Sequence, residues 1–342
     1  MMYSLKPSQI KPAVEACMQA RLVPFLKSSP GLGKSSIVKQ IAEEYGLKLI
    51  DLRLSSMEPT DLVGLPWIHE GKAQFNPYAF FPLEETPIPE GYEGFLLFLD
   101  EFNSASRAVQ AAAYRVVLDR EIGMHKLHPK CFVVAAGNLS TDNAITNQLS
   151  TAMSSRVVHL NMECNFEDWR DNFAIPKKID ERIIAYLSMY PNYLMDFDPE
   201  RDEQTFACPR TWEFASKLIH ASGGELNDSL IPLLGGAITV EQASALVQFS
   251  KVYKNLITID DIKKNPNVEP PRDSATLWAI LIHLINRVDK DSLSDILNFV
   301  EKMPVTFKIV FLRSLKKTNA NLFLNPEVIK MITDLGDFCL GD

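Results

Sequence analysis

Five short apolar runs, rich in β-branched and aromatic residues, pace the first half of the chain: "LVPFL" at 22–26, "LKLIDLRL" at 47–54, "GFLLFLD" at 94–100, "CFVVAAG" at 131–137 and "RVVHLNM" at 156–162. Each is short and almost continuously apolar, the pattern of strands buried on both faces. Helical stretches lie between several of them. In "KSSIVKQIAEEYG", Ile37, Ile41 and Tyr45 fall at helical spacing and Gly46 marks the stop. This alternation predicts an α/β fold with a parallel sheet flanked by helices. Pro24 argues against full pairing of the first strand, because proline has no N–H to give to the ladder.

From about residue 165 the texture changes. "IDERIIAYLSMY", "PRTWEFASKLIHA", "TVEQASALVQFSKVY", "SATLWAILIHLINRV" and "SLSDILNFVEKM" carry helical periodicity, and strand-like runs largely disappear. The stretch "PNYLMDFDPERDEQTFACP" reads as a long surface loop, and "KKNPNVEPPRD" as a linker to a final helical piece. A chain of 342 residues is long enough for two domains, and no fixed-period repeat runs through it.

Composition narrows the function classes. With 46% hydrophobic and 23% charged residues the chain is an ordinary folded protein, and a formal charge of −8 leaves no global basic footprint for nucleic acid. The N-terminus has no uninterrupted apolar core of a signal peptide, and no run approaches the roughly 18 apolar residues of a spanning helix, so a cytoplasmic protein without membrane contact is expected. Cys17, Cys131, Cys164, Cys208 and Cys339 are scattered and never form a C-x-x-C pair, as reduced thiols would be.

The chemistry concentrates in two places. In "SSPGLGKSS", Gly31 and Gly33 free the backbone to wrap a phosphate, and the following helix presents its N-terminal amides. Ser28, Ser29, Pro30, Gly31, Leu32, Gly33, Lys34, Ser35 and Ser36 form the candidate cradle, with Lys34 reaching the β and γ phosphates and Ser35 ligating Mg²⁺. Ser28 stands where the phosphate-loop motif has its first glycine, at an expected cost in backbone freedom. The second place is "GFLLFLDEFNSA", an apolar strand ending in Asp100 and Glu101. There the aspartate would hold Mg²⁺ by way of water, and the glutamate would polarise the attacking water. The separation of about 65 residues lets both elements meet at one edge of a parallel sheet, where such folds bind ligands. The expected cofactors are ATP and Mg²⁺.

Together with the phosphate loop and the acidic pair, three further pieces resemble, in order and wording, the MoxR family of AAA+ ATPases. "VVAAGN" resembles the family's sensor 1 strand, which makes Asn138 the residue that positions the lytic water. "LSTAMSSRVVHL" resembles the helix that ends in an arginine before the fifth strand, which makes Arg156 the arginine finger. "CPRTWEFASKLI" resembles the start of a lid helix, with Arg210 as sensor 2. "LSSMEPTDLVGLP" with "WIHEGKAQFNPYAFFPLEE" resembles the helix-2 insert, Gly71 being its turn residue, and "LDREIGMHKLHPKCFVVAAGN" resembles the hairpin before sensor 1. His125 and His128 fall in that second hairpin and read as its solvated tip rather than as a metal site.

The resemblance implies a P-loop AAA+ core over 1–165 with a parallel five-stranded sheet and hairpin inserts near 66–82 and 121–130. It further implies an α-helical lid over 166–265, followed by a helical extension over 266–342. It implies an ATP-hydrolysing, Mg²⁺-dependent hexameric ring in which Arg156 completes a neighbour's site, with Arg210 acting on its own or a neighbour's nucleotide. Relatives of this kind act as chaperone-like remodelling or maturation factors on protein clients, often beside a protein with a von Willebrand factor A domain. Two other readings stay open: a nucleic-acid motor like the McrB restriction motors, and a nucleotide-gated scaffold with little turnover. The motor has only Lys72 in the first hairpin and Lys126 and Lys130 in the second to offer a phosphate backbone.

Overall fold

A computed structural model describes residues 3–139, 147, 149–198, 200, 204–251 and 256–336. The chain divides into two compact units, one made of Met1–Cys164 with Asp198–Arg201, the other of Asn165–Phe197 with Asp202–Asp342.

In the first unit the strands are β1 (Ser4–Leu5), β2 (Val23–Ser28), β3 (Leu47–Arg53), β4 (Leu65–His69), β5 (Lys72–Asn76), β6 (Gly94–Asp100), β7 (Glu121–Ile122), β8 (His125–Lys126), β9 (Cys131–Asn138) and β10 (Val157–Met162). Six of them form one parallel sheet in the order β1-β10-β2-β9-β6-β3. The five apolar runs are its five principal strands. The sixth, β1, is a two-residue edge strand beside β10, too short to carry a periodic signal. Pro24 sits inside β2 despite its missing N–H. It is in register with Val158 of β10, but pairing with β9 begins only at Phe25, so one side of the strand is open where the proline lies.

Burial on both faces explains the continuous apolar runs: every residue of β6 is buried. Phe25, Leu97, Leu99, Val133 and Ala135 face one core, with Val109, Ala113 and Val116 of the helix Arg107–Leu118. The alternate residues Leu26, Leu96, Phe98, Val134 and Ala136 are buried toward the other face, where the helices Pro7–Gln19 and Lys34–Glu44 pack on the sheet. The helix Lys34–Glu44 turns Val38, Ile41 and Ala42 inward; Tyr45, expected on that face, is 43% exposed, and Gly46 ends the helix at φ +59°.

Two hairpins project from this core. β4 and β5 are joined through Glu70 and Gly71 at φ +50° and +73°, the pair of positive φ values that a type I′ turn needs. The ribbon ends at Asn76, short of the predicted 82, because the chain over 82–84 leaves it to pair with the second hairpin. His128 N donates to Pro82 O at 2.8 Å, Glu84 N to Lys126 O at 2.9 Å, and Leu83 bridges Leu127. The second hairpin, β7 and β8, turns at Gly123, φ +58°. A Cβ there would lie 2.4 Å from the Val63 carbonyl oxygen, so glycine is what lets the second hairpin rest on the base of the first. His125 Nε2 lies 3.3 Å from the Phe75 carbonyl oxygen and braces the two ribbons.

The second unit is helical. Tyr186, Trp212 and Leu246 are buried in its core, and Tyr186 donates its hydroxyl to Gln242 Oε1 at 2.9 Å. The helices of 266–342 belong to this same unit as those of 166–265. Glu181, at the start of the helix Glu181–Met189, binds Arg287 and His283 of the helix Ser274–Arg287. The expected linker is tied down, with Lys302 Nζ donating to Pro266 O at 3.0 Å and to Val268 O at 3.1 Å. The expected surface loop closes at its base through the Asp196–Ala207 bridge and the Phe197–Phe206 ring contact at 4.5 Å. Residues 199 and 201–203 of that loop, 252 and 253 of an expected helix, and Cys339 lie outside the described residues. No described helix is long and apolar enough to cross a membrane.

Candidate nucleotide site

β2 ends at Ser28, a loop follows, and the helix Lys34–Glu44 begins under Gly33. Gly31 and Gly33 take φ +79° and +90°, so their backbone freedom is used. No side chain caps the helix, which leaves its first amides to a ligand or water. Ser28 departs from expectation: it is the last extended residue of β2, paired in register with Asn138, and is not among the residues with positive φ. The first glycine of the motif is therefore not needed here for conformation, and Ser28 loses no backbone freedom by replacing it.

The chemistry-bearing groups gather at the C-terminal edge of the sheet. Lys34 Nζ donates to Ser28 O and Ser28 Oγ at 3.0 Å each and to Asn138 Oδ1 at 3.2 Å. Ser35 Oγ donates to Asp100 Oδ2 at 3.0 Å, bringing together the hydroxyl and carboxylate expected to share Mg²⁺. Asp100 is buried and its Oδ1 accepts from Glu101 N at 2.8 Å. Glu101 sits at φ +54°, a left-handed conformation that costs a non-glycine residue about 1 kcal/mol or more and is held only by its surroundings. Its carboxylate accepts from the Ser55 hydroxyl and lies 3.5 Å from Arg53 Nε.

Several contributors carry little or no signal of their own in the sequence. Asn103, three residues past Asp100 and buried, grips the backbone of Asn138 at two points: its Oδ1 accepts from Asn138 N at 3.0 Å and its Nδ2 donates to Asn138 O at 2.7 Å. Gly137 makes this approach possible, since a Cβ there would lie 2.2 Å from Asn103 Oδ1. Asn147 adds a further tie, donating from Nδ2 to Ala105 O at 2.9 Å. Arg53 and Ser55 are invisible to local reading because only the register of β3 on β6, Arg53 opposite Asp100, brings them to Glu101. For Asn103 a hint exists: "DEFN" places a polar residue in the turn just after an apolar strand.

Arg156 stands apart. It is exposed, donates to Ala152 O at 2.7 Å and lies over the Tyr114 ring at 5.4 Å. The next residue, Val157, is in register with Val23, so Arg156 lies at the strand-start edge. The phosphate loop is at the other end of β2, roughly 17 Å away at the rise of an extended strand. Arg210 belongs to the second unit, exposed in the first turn of the helix Pro209–Ala221. His125 is exposed, His128 accepts from Lys130 N at 3.0 Å, and the described residues contain no group of three or more His, Cys, Asp or Glu placed to hold a metal.

A parallel sheet with a glycine-rich loop between its central strand and a helix, facing an acidic strand end and a polar residue from the strand between, defines a P-loop nucleotide-binding α/β domain. Residues 25–159 match the sequence model described as ATPase family associated with various cellular activities (AAA). No curated protein matches the chain in sequence. Among solved structures, the chain is similar to a candidate ATPase from Cytophaga hutchinsonii, at 14% identity over 94% of this chain and 78% of that one, with a TM-score of 0.35. It is also similar to NtrX from Brucella abortus, at 12% identity over 74% and 62%, with a TM-score of 0.42. A third likeness is a point mutant of RuvB from Thermotoga maritima, at 15% identity over 98% and 87%, with a TM-score of 0.34.

Proposed function

We propose that the protein is a Mg²⁺-dependent ATPase of the MoxR type that works as a ring, most simply a hexamer, and remodels or matures a protein client. The observation that carries the reading is the convergence of Lys34, Ser35, Asp100 and Asn138 on one sheet edge, with Glu101 beside them. The donor set fits the implied groups: loop amides and Lys34 would hold the phosphates of ATP, and Ser35 with Asp100 would hold Mg²⁺. Mg²⁺, when bound, neutralises phosphate charge. Glu101 would accept a proton from, and orient, the attacking water once released from Arg53 and Ser55, and Asn138 would help position it.

The ring follows from Arg156. A guanidinium at the far edge of the sheet cannot serve the phosphates of its own chain, so a finger in that position acts on a neighbour, where such an arrival is worth on the order of 10³ to 10⁵ in rate. Arg210 is the sensor 2 of this reading, and a von Willebrand factor A-domain protein is a partner it admits. A polypeptide client is favoured by the hairpins, where Trp67 is 58% exposed, Ile68 75%, Phe75 42% and Met124 73%. Apolar side chains exposed on both faces of the first ribbon and at the turn of the second suit protein rather than a phosphate backbone.

The test is ATP turnover per chain across a wide range of protein concentration, for wild type and for Arg156→Ala mixed with Lys34→Ala. The expected result is specific activity that rises with concentration and partial recovery in the mixture, because each variant supplies the half-site the other lacks. Turnover independent of concentration, with no recovery, would reject shared sites. Binding of ATP with near-zero turnover at every concentration would favour the gated scaffold.

A further inference from the structure

We propose that Ser28 is a latch on Lys34, a side-chain hydroxyl that holds the loop lysine and must be displaced when a phosphate arrives. The inference rests on the reading of this loop as a nucleotide site. It starts from the one place where the chain departs from the phosphate-loop pattern without any conformational reason: Ser28 is extended, fully buried and in register with Asn138.

What the serine adds is an oxygen. Lys34 Nζ lies 3.0 Å from Ser28 O, 3.4 Å from Ser29 O, 3.2 Å from Asn138 Oδ1 and 3.0 Å from Ser28 Oγ. The two carbonyls are available to the lysine whatever residue stands at 28. The hydroxyl is not, because glycine has none. Its proton is committed, since Ser28 Oγ donates to Ser29 O at 2.9 Å, so the oxygen meets Lys34 as an acceptor with fixed orientation. An ammonium has three N–H donors. Two loop carbonyls, the hydroxyl and Asn138 Oδ1 are four acceptors for those three donors, the Ser29 carbonyl being the most distant, so a phosphate gains the lysine only by displacing some of them.

The direction of the effect follows. An interaction that a ligand must break in order to bind lowers apparent affinity by the factor that interaction is worth. The bond is charge-assisted and its hydroxyl is shut off from water, which places it among the stronger hydrogen bonds, though part of its loss is recovered from the phosphate. Where the ammonium swings away from Ser28 toward the phosphate, it leaves Asn138 Oδ1 as well. Arrival of a phosphate at Lys34 is thereby coupled to release of the Asn138 carboxamide, whose backbone stays fixed by Asn103. Ser28 touches no reacting atom in this scheme; it is a positioning residue that acts through Lys34.

The experiment is a fluorescence titration of the full chain with a fluorescent ATP analogue and Mg²⁺, comparing wild type, Ser28→Ala, Lys34→Ala and the double variant. Ser28→Ala keeps the buried Cβ and removes only the oxygen. The expected result is nucleotide affinity about three- to tenfold tighter than wild type, the range left after partial recovery of a charge-assisted bond. In the Lys34→Ala background the same exchange should change affinity less than about twofold, because the latch has nothing to hold. Wild-type or weaker affinity in Ser28→Ala overturns the latch, and so does an equal gain in both backgrounds, which would mean loop packing. If Ser28→Ala melts early, Ser28→Gly supplies the same comparison. The nucleotide reading is judged separately: if neither wild type nor the Ser28 variants bind, it falls and takes the latch with it, whereas binding unaffected by Ser28 removes the latch alone.

Discussion

A single missing methyl group holds the end of strand β9 where it is. Asn103 reaches Asn138 only because residue 137 has no side chain, and Gly137→Ala would put a carbon 2.2 Å from Asn103 Oδ1 and 3.0 Å from the Phe25 ring. Neither neighbour can yield easily, one being hydrogen-bonded twice and the other fully buried. The exchange should lower stability by about 1–3 kcal/mol, the cost of overpacking a tight site. It should reduce ATP turnover more than ATP binding, because Asn138 moves while the loop does not. Urea unfolding paired with steady-state kinetics checks both, and a variant as stable as wild type would mean that strand β9 shifts freely. Residues of this kind mark the limit of reading a chain as a string. Lys34, Ser35, Asp100 and Glu101 are recognisable because their chemistry is local to a loop or a strand end. Asn103, Arg53 and Ser55 become relevant only through pairings made by a sheet in the order β10-β2-β9-β6-β3, which no local pattern specifies.

Hairpins are elements whose existence is more legible than their extent. Gly71 betrays the first turn, but the place where a ribbon stops depends on a partner strand, and here the chain over 82–84 leaves the first hairpin to pair beside the second. The first ribbon is also an element out of balance. A two-stranded sheet is marginal by itself in water, and every residue of β5 is exposed, as are Leu65, Trp67 and Ile68 of β4. If the ribbon grips a client, Trp67→Ser combined with Ile68→Ser removes one apolar side chain from each of its faces, each worth about 1.5–3 kcal/mol on full burial. Capture of a labelled, permanently unfolded polypeptide should weaken at least about tenfold in fluorescence anisotropy. Undiminished capture would move the client contact away from this ribbon.

Taken whole, the chain puts its recognisable chemistry in one unit and a less legible packing problem in the other. Helical periodicity announces the helices of the second unit, but not that those beyond 266 share a unit with those before it, because the ties are single side chains far apart in sequence. Glu181 is one such tie. Burial by itself would raise its pKa, yet hydrogen bonds from His283 and Arg287 and the charges of both outweigh this and hold the carboxyl at about 2, against an ordinary 4.5. A carboxylate depressed in the folded state contributes stability that is complete above the unfolded value near 4.5 and is lost as pH falls through about 2. The contribution is at most about 3 kcal/mol. Tryptophan fluorescence suits the measurement, since Trp169, Trp212 and Trp278 lie in the second unit and only Trp67 in the first. In urea titrations from pH 7 to about 2.5, the window set by these two values, wild type should lose stability steeply below the ordinary carboxylate value. Glu181→Gln should start lower at neutral pH and fall less across the same interval, so that the two curves converge in acid. Curves that stay parallel would show that Glu181 is not the group through which acid loosens the helical unit.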